Sequence, residues 1–398
     1  MILSGTTGFS AEVATGKISE IYEAVCTHQQ QLTGFGFSRG FLGVSVFNYL
    51  YAVHTGEQKY FDEARLTFDK ACDMIDSDSS KSYPQDFADL AAVSQYLYEA
   101  GVVDLEPNTF LSDVDTVMLR KMRFELGQKN IGGYVNGALG YGLYFLQRSR
   151  YNRENVQPAI DELIRGILYN ARYTAEGCYW TSGNYPQNEC TCLSFPHGSA
   201  AVILFLAKAV EMELCPARRL QEVVFDAISY IQSHGVRNEH YQYIDIVQEP
   251  GKSRLALSYG DMGIGYAMIR AGAALRNQSW YQEGITILKK CASRREESNT
   301  GVQDASILFG AAGLALMFDR ISQITHEPAM KKAAEFWYHE ILKYDCSPDG
   351  YAGIKAACNQ WGPGANLAFS EGIIGVGCGL IKGLNPEKIN FDDLIWLL

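Results

Sequence analysis

Two kinds of helical pattern alternate along this chain. One kind is almost uniformly apolar and carries little charge, as at residues 199–213 and 311–323, and the other places its apolar residues on a single stripe, as at 217–234 and 328–343. A helix that is apolar all round has to be enclosed, whereas a striped helix faces water on one side. The alternation therefore predicts a layer of inner helices surrounded by a layer of outer helices.

This pairing of an inner with an outer helix recurs over most of the sequence. The predicted pairs are 41–54 with 57–76, 138–148 with 155–171, 199–213 with 217–234, 264–275 with 278–293, and 311–323 with 328–343. An amphipathic helix at 10–32 precedes the first pair, and a further helix begins at Pro84. The spacing of apolar residues within each segment is that of an α-helix.

A tight glycine turn precedes each of these inner helices. The leading glycines lie at positions 40, 137, 198, 260, 310 and 372, which gives intervals of 97, 61, 62, 50 and 62 residues. The first interval spans roughly two units, with the helix at Pro84 near its middle. A recurring interval indicates repeated supersecondary units that stack their apolar faces. We therefore predict an all-α (α/α) toroid of seven helical hairpins, folded as one domain over residues 1–398.

Three longer connections interrupt the repeat, and each comes directly before a glycine turn. They are residues 174–196, 236–253 and 344–368. All three are rich in aromatic residues, including Trp180 and Trp361, and residues 239–247 alternate in a way that predicts a short β-ribbon. Long loops over one face of a rigid scaffold are where ligand sites usually form. We therefore expect the functional site on the face that these loops cover.

The composition narrows the function classes. The chain has 398 residues, of which 47% are hydrophobic and 20% charged, so it is long and apolar enough for a large core. Its net charge of -11 has the wrong sign for binding nucleic-acid phosphates. No apolar run reaches the ~20 residues that a membrane-spanning helix needs, and no secretory signal pattern opens the sequence. The ten cysteines form no dense disulfide pattern, so we expect a reduced, cytoplasmic protein.

The glycine turns resemble those of the lanthionine cyclases, the LanC and LanC-like family, over nearly the whole chain. In that family G-x-x-G turns open the inner helices of a seven-hairpin toroid, which is the fold that the resemblance implies here. Active members hold zinc with the cysteine of a W-C-Y-G motif and with the Cys-His pair of a C-H-G motif. The zinc binds a substrate cysteine as thiolate, and the sulfur then adds to a dehydrated serine or threonine to form a thioether ring.

The three zinc-binding positions of the family carry other residues in this chain. The first motif reads Leu257-Ser258-Tyr259-Gly260, with serine in place of the cysteine, and the second reads Leu308-Phe309-Gly310, without cysteine or histidine. We therefore expect a zinc-free protein with no cofactor. Zinc-dependent cyclisation is not expected of it.

Two candidate catalytic residues do match the family's pattern. His197, in Pro196-His197-Gly198, corresponds to a histidine that the family is proposed to use for proton transfer, and Arg254 stands four residues before Ser258, as an arginine does in the family. A histidine that titrates near neutral pH serves as a general acid or base. Structural roles stay open for both: His197 bonded to a loop carbonyl, or Arg254 paired with Asp261 or Glu371.

The predicted substrate-binding residues lie in or beside the turns and in the long loops. They are Ser258, Tyr259, Asp261, Asp304, Phe309, Glu371, Trp180 and Trp361. The acidic members either converge on one face or cap helix N-termini. Cys178, Cys190 and Cys192 precede His197 in one loop, and their residue types allow either a relocated metal site or free thiols.

Taken together, these features predict a zinc-free LanC-like protein that binds a peptide. It would either modify that peptide or present it to a modifying partner enzyme. Two alternatives stay open. A carbohydrate-active α/α enzyme would need two carboxylates about 5 to 10 Å apart across a cleft, and a non-catalytic peptide-binding scaffold, or pseudoenzyme, would need neither. The sequence leaves the substrate, catalytic activity and oligomeric state open.

Overall fold

The computed structural model describes residues 11–75, 84–133, 137–181, 191–236, 238–247, 253–257, 259–357 and 363–395. The chain divides into two compact units. The first comprises Met1–Ser82, Val93–Glu106 and Gly301–Leu398, and the second comprises Tyr83–Ala92 and Pro107–Thr300. A single domain over residues 1–398 stays a prediction.

Helices make up most of the described chain. In chain order they are α1 (Ala11–His28), α2 (Phe41–Thr55), α3 (Gln58–Asp73), α4 (Pro84–Glu99), α5 (Pro107–Phe110), α6 (Ser112–Gly127), α7 (Ala138–Ser149), α8 (Arg153–Tyr169), α9 (Ser199–Glu211), α10 (Gln221–Ser233), α11 (Gly260–Ala274), α12 (Gln278–Ser293), α13 (Glu297–Thr300), α14 (Ala311–Thr325), α15 (Pro328–Ile341) and α16 (Ile373–Leu384). Strands β1 (Arg172–Thr174) and β2 (Gly177–Tyr179) form an antiparallel hairpin. Within the described residues, no helix is long and apolar enough to cross a membrane.

In the first unit, the almost fully buried helices are α2, α14 and α16. Helix α16 packs against both α2 and α14, while α3 covers α2 and α15 covers α14. The amphipathic helix α1 covers α16, so the first described helix of the chain packs on the last one. These are the inner and outer helices that the apolar pattern predicted.

The second unit repeats the arrangement. Its buried helices are α7, α9 and α11, and α9 packs against both of the others. Helices α8, α10 and α12 cover α7, α9 and α11 respectively, α6 packs on α7 and α8, and the β1–β2 hairpin packs on α10. A buried ion pair joins α6 to α7, because Arg148 donates to both carboxylate oxygens of Asp115 at 2.8 Å.

Four of the glycine turns share one hydrogen-bond pattern. At α2, the N–H groups of Phe41 and Leu42 donate to the carbonyl oxygens of Gly34 and Phe35, seven residues earlier, at 3.1 and 2.9 Å. The first two N–H groups of α9, α14 and α16 also bond to carbonyls seven residues earlier. The loop before each helix therefore satisfies donors that a helix leaves free at its N-terminus. A β-carbon on Gly40 would overlap this loop, so the close approach requires glycine.

The predicted β-ribbon at 239–247 is wrong. Residues 239–247 contribute only a single bridge within the described chain, between Ile246 and Cys192, and the two-stranded sheet lies at β1 and β2 instead. At Gln242 and Tyr243 the backbone N–H groups donate to the carboxylate of Asp261 and not to a neighbouring strand.

Candidate functional site

Asp261, in the first turn of α11 in the second unit, fastens a loop to that helix. It is 0% exposed. Its Oδ1 accepts a hydrogen bond from the N–H of Tyr243 at 2.7 Å, and its Oδ2 accepts one from the N–H of Gln242 at 2.8 Å. Burial raises the pKa of Asp261 to about 6, although these two bonds and the charges of Arg294 and Lys290 lower it. The carboxylate is committed to the loop and presents no surface to a substrate.

Asp245 makes the reciprocal connection. Its Oδ1 accepts a hydrogen bond from the N–H of Gly260, the first residue of α11, at 2.6 Å. Burial raises the pKa of Asp245, while the charges of Arg254 and Arg294 act to lower it. Arg254, a predicted catalytic residue, therefore lies within electrostatic range of the Asp245 carboxylate.

The turn at Gly260 departs from the other glycine turns. Gly260 has φ +54°, a left-handed conformation that favours glycine, and a carboxylate rather than a loop carbonyl receives its N–H. A β-carbon at this position would also overlap the hydroxyl of Ser253. Tyr259, partly exposed, immediately precedes α11, and Ser258 lies outside the described residues.

Arg294, which follows α12, holds the segment that carries Arg254. It is almost completely buried, and it donates from Nε to the carbonyl of Asn299 and from Nη2 to the carbonyl of Ser253, both at 2.6 Å. Burial lowers the pKa of Arg294, and nearby acidic groups, Asp261 among them, raise it. Arg294 is not among the predicted site residues because its run, Ser-Arg-Arg-Glu-Glu, is typical of a solvated helix end.

His197 lies in the turn before α9, partly exposed. Burial lowers its pKa, so the imidazole is neutral near pH 7. The segment before this turn bonds to the loop of Asp245: the N–H of Leu193 donates to the carbonyl of Asp245 at 2.9 Å, and the N–H of Val247 to that of Thr191 at 3.0 Å. The structure thus joins the turns of His197 and Gly260 through one loop.

Trp180, one of the predicted substrate-binding residues, packs inside the protein and does not face a substrate. It is buried, and its Nε1 donates to the carbonyl of Ile167 on α8 at 2.9 Å. Cys178 is also buried: its thiol donates to the carbonyl of Val223 at 3.5 Å, and burial raises its pKa to about 12. Cys190 lies outside the described residues. Among those described, no group of three or more His, Cys, Asp or Glu side chains is arranged to hold a metal ion.

In the first unit, Asp304 shapes the turn before α14. Its Oδ1 accepts hydrogen bonds from the N–H and the hydroxyl of Ser306 at 2.9 and 2.7 Å, and its Oδ2 accepts one from the N–H of Ala357 at 2.8 Å. The carboxylate is buried, and both of its oxygens are engaged within the protein. Leu308 and Phe309, in the same turn, are partly exposed.

Backbone hydrogen bonds join three turns of the first unit in a row. The N–H of Leu308, before α14, donates to the carbonyl of Ser370, before α16, at 2.8 Å, and the N–H of Ser370 donates to the carbonyl of Ser38, before α2, at 3.1 Å. Glu371 and Arg39 form an ion pair at 2.9 Å between the last two of these turns. Glu371, one of the two partners left open for Arg254, pairs with Arg39 instead. Trp361 lies outside the described residues.

The carboxylates named for a sugar-cleaving alternative do not present an open pair. Asp261, Asp304 and Glu371 are all buried, and each is bonded to groups of its own unit. General acid and nucleophile roles in glycoside cleavage need carboxyl groups that reach a substrate in a cleft. The structure gives that alternative no support.

Comparison with known proteins decides the family. The family model of the lanthionine synthetase C-like proteins matches residues 31–395 of this chain. The chain belongs to the lanthionine synthetase C-like family. Thirteen solved chains match it, among them nisin cyclase, with a TM-score of 0.71 and 18% sequence identity over 98% of each chain. No curated protein sequence matches. The structural match confirms the all-α LanC-like toroid as the fold class.

The residues at the positions that the family resemblance assigns to zinc do not fit the ion. The side chains of Leu308 and Phe309 are hydrocarbons and have no atom that donates electrons to a metal. Ser258 offers a hydroxyl, which is not among the thiolate, imidazole and carboxylate ligands that zinc prefers in proteins. No chemical step is therefore assigned to zinc in this protein.

Proposed function

We propose that this LanC-like protein binds a peptide and acts on it, or presents it to a modifying enzyme, without zinc. One observation carries the zinc-free part: two positions where the family resemblance expects ligands hold the hydrocarbon side chains of Leu308 and Phe309. The peptide is taken from the family resemblance and from the likeness to nisin cyclase.

His197 is the proposed base. A cysteine thiol has a pKa of about 8.5, so without a metal it is mostly protonated near neutral pH and needs a base to become the nucleophile. The neutral imidazole of His197 is able to accept that proton, and its partly exposed place before α9 makes it accessible. Arg254, electrostatically linked to Asp245, would bind a carbonyl or carboxylate of the peptide.

Metal analysis tests the zinc-free part. The purified protein should contain far less than one zinc ion per chain. The triple variant S258C/L308C/F309H should bind about one zinc per chain, because it restores the three side chains that hold the ion in the family. Stoichiometric, tightly held zinc in the unaltered protein would overturn the proposal, and a triple variant without zinc would refute the correspondence between the motifs.

Peptide binding is tested with a labelled synthetic peptide that contains one cysteine and one dehydroalanine. R254A should weaken binding about tenfold or more, since a hydrogen bond to a charged group is worth about 1.5–3 kcal/mol. H197A should bind as tightly as the unaltered protein but form no thioether. If the unaltered protein and H197A both bind the peptide but neither forms a thioether, the chain is a binding scaffold. If neither of these two proteins binds the peptide, the peptide proposal fails.

A further inference from the structure

The most exposed aromatic side chains among the described residues lie in the second unit. They are Phe124, Tyr169, Tyr173 and Phe225. Two of them, Tyr173 on β1 and Phe225 on α10, are 63% and 55% exposed, and α10 packs on β2, the strand that pairs with β1. Scattered single apolar residues are normal on a surface, so the polar groups around these two decide whether they belong to an interaction site.

The hairpin is held close to α10, and this brings Tyr173 beside that helix. A β-carbon on Gly177 would overlap the carbonyl oxygen of Asp226, and the thiol of Cys178 contacts the carbonyl of Val223. Tyr173 is the cross-strand partner of Cys178. Directly opposed side chains of an antiparallel pair lie on the same face of the sheet, so Tyr173 shares the α10 side with Cys178.

Acidic residues lie close to both of these aromatic residues. Glu222 and Asp226 flank Phe225 on α10, and both act electrostatically on the hydroxyl of Tyr173. Glu176 is exposed in the hairpin turn. None of the three carboxylates forms an ion pair within the part of the chain that the structure describes. Their charges are therefore available to a partner.

We propose that Tyr173, Glu176, Glu222, Phe225 and Asp226 form a docking surface for a basic, extended segment of a peptide. Lysine and arginine side chains pair with carboxylates and also stack over aromatic rings, so this combination of groups fits them. The net charge of -11 adds a long-range attraction for a basic partner. In taking a peptide as the occupant, the inference rests on the proposed function.

Fluorescence anisotropy with the full-length protein tests the surface. The probe is a labelled twelve-residue peptide of repeated Lys-Ser-Ala, and its counterpart has glutamate in place of lysine. The basic probe should bind, and more weakly as salt rises, because exposed charges are screened. E222Q/D226N should weaken binding about three- to tenfold, from ~0.5 kcal/mol or more per exposed ion pair, and Y173A/F225A by a similar factor.

The matched control is D69N/D73N, which removes two exposed charges from α3 in the first unit. It should leave binding nearly unchanged. Equal weakening by both charge variants would overturn the inference, since net charge alone would then explain binding. Tight binding of the acidic probe would also overturn the inference. So would a dimer that Y173A/F225A converts to monomer, because the surface would then bind a second copy of the chain. The probe contains neither cysteine nor dehydroalanine, so its failure to bind leaves the zinc and thioether tests of the proposed function unaffected.

Discussion

The charge on Asp261 should cost the folded protein stability near neutral pH. Burial raises its pKa from 3.8 to about 6, so the folded state holds this proton more tightly than the unfolded state does. A carboxyl with a raised pKa contributes its full stability below the unfolded pKa, where both states are protonated, and loses it as the pH rises through the folded pKa. The window is therefore about pH 4 to 6.

The size of the effect follows from the shift. About two pKa units at 1.36 kcal/mol each give roughly 3 kcal/mol. At about 2.1 cal/mol/K per residue, the unfolding entropy of a 398-residue chain is roughly 0.8 kcal/mol/K, so the shift corresponds to about 4 °C in the unfolding midpoint. The asparagine of D261N does not titrate. Its amide NH₂ faces one of the two backbone N–H groups that donate to Asp261, so two donors oppose each other, which lowers the free energy of unfolding by about 1–3 kcal/mol at every pH.

The assay is calorimetry of both proteins at pH 4, 5, 6 and 7 at constant ionic strength. The midpoint of the unaltered protein minus that of D261N should fall by about 4 °C from pH 4 to pH 7. Titrations of other groups are common to both proteins and cancel. A constant difference would show that Asp261 does not titrate in this range. A difference that grows with pH would refute the reasoning, because the amide bonds would then outweigh the effect of burial.

Three further predictions concern the scaffold. R148A should lower the free energy of unfolding by about 3–5 kcal/mol in denaturant titration, because Arg148 is 1% exposed and its removal leaves a partly buried carboxylate unpaired. G313A should destabilise the protein strongly in the same titration, because its β-carbon would overlap a carbonyl oxygen. G16A should instead raise the free energy of unfolding by about 0.5–1 kcal/mol, because Gly16 lies on α1 with open space around it. K17A should speed proteolysis at residues 345–352, because the buried Lys17 bonds to both ends of that segment.

The inner and outer helices were predictable because burial leaves a periodic pattern in the sequence. The predicted 278–293 coincides with α12, and most other boundaries differ by a few residues. α11 begins at Gly260 rather than 264, since the glycines suggested a turn where the chain is already helical. No helix was predicted at α6, where only Met118 and Met122 are buried, so its apolar stripe is faint.

The partners of the site residues were less predictable. The motifs gave the positions of His197 and Arg254, but the pairing of Glu371 with Arg39 joins residues that lie 332 apart in the chain. Local sequence carries no signal for such a contact. The same holds for Arg294, whose bonds to Ser253 and Asn299 depend on how the loop closes. Sequence identified candidate side chains, and only the fold could say which of them are already engaged.

The two turns at the family's zinc positions are held by the protein's own groups. In the second unit, Asp245, Asp261 and Arg294 fix the ends of the stretch that leads into α11. In the first unit, Asp304 and the N–H of Leu308 hold the turn before α14. A metal that orders a site contributes folding energy, so a chain without ligands needs other bonds to keep the same turns. Each turn has such bonds within its own unit, so the proposed zinc-free protein needs no metal ion to hold either turn.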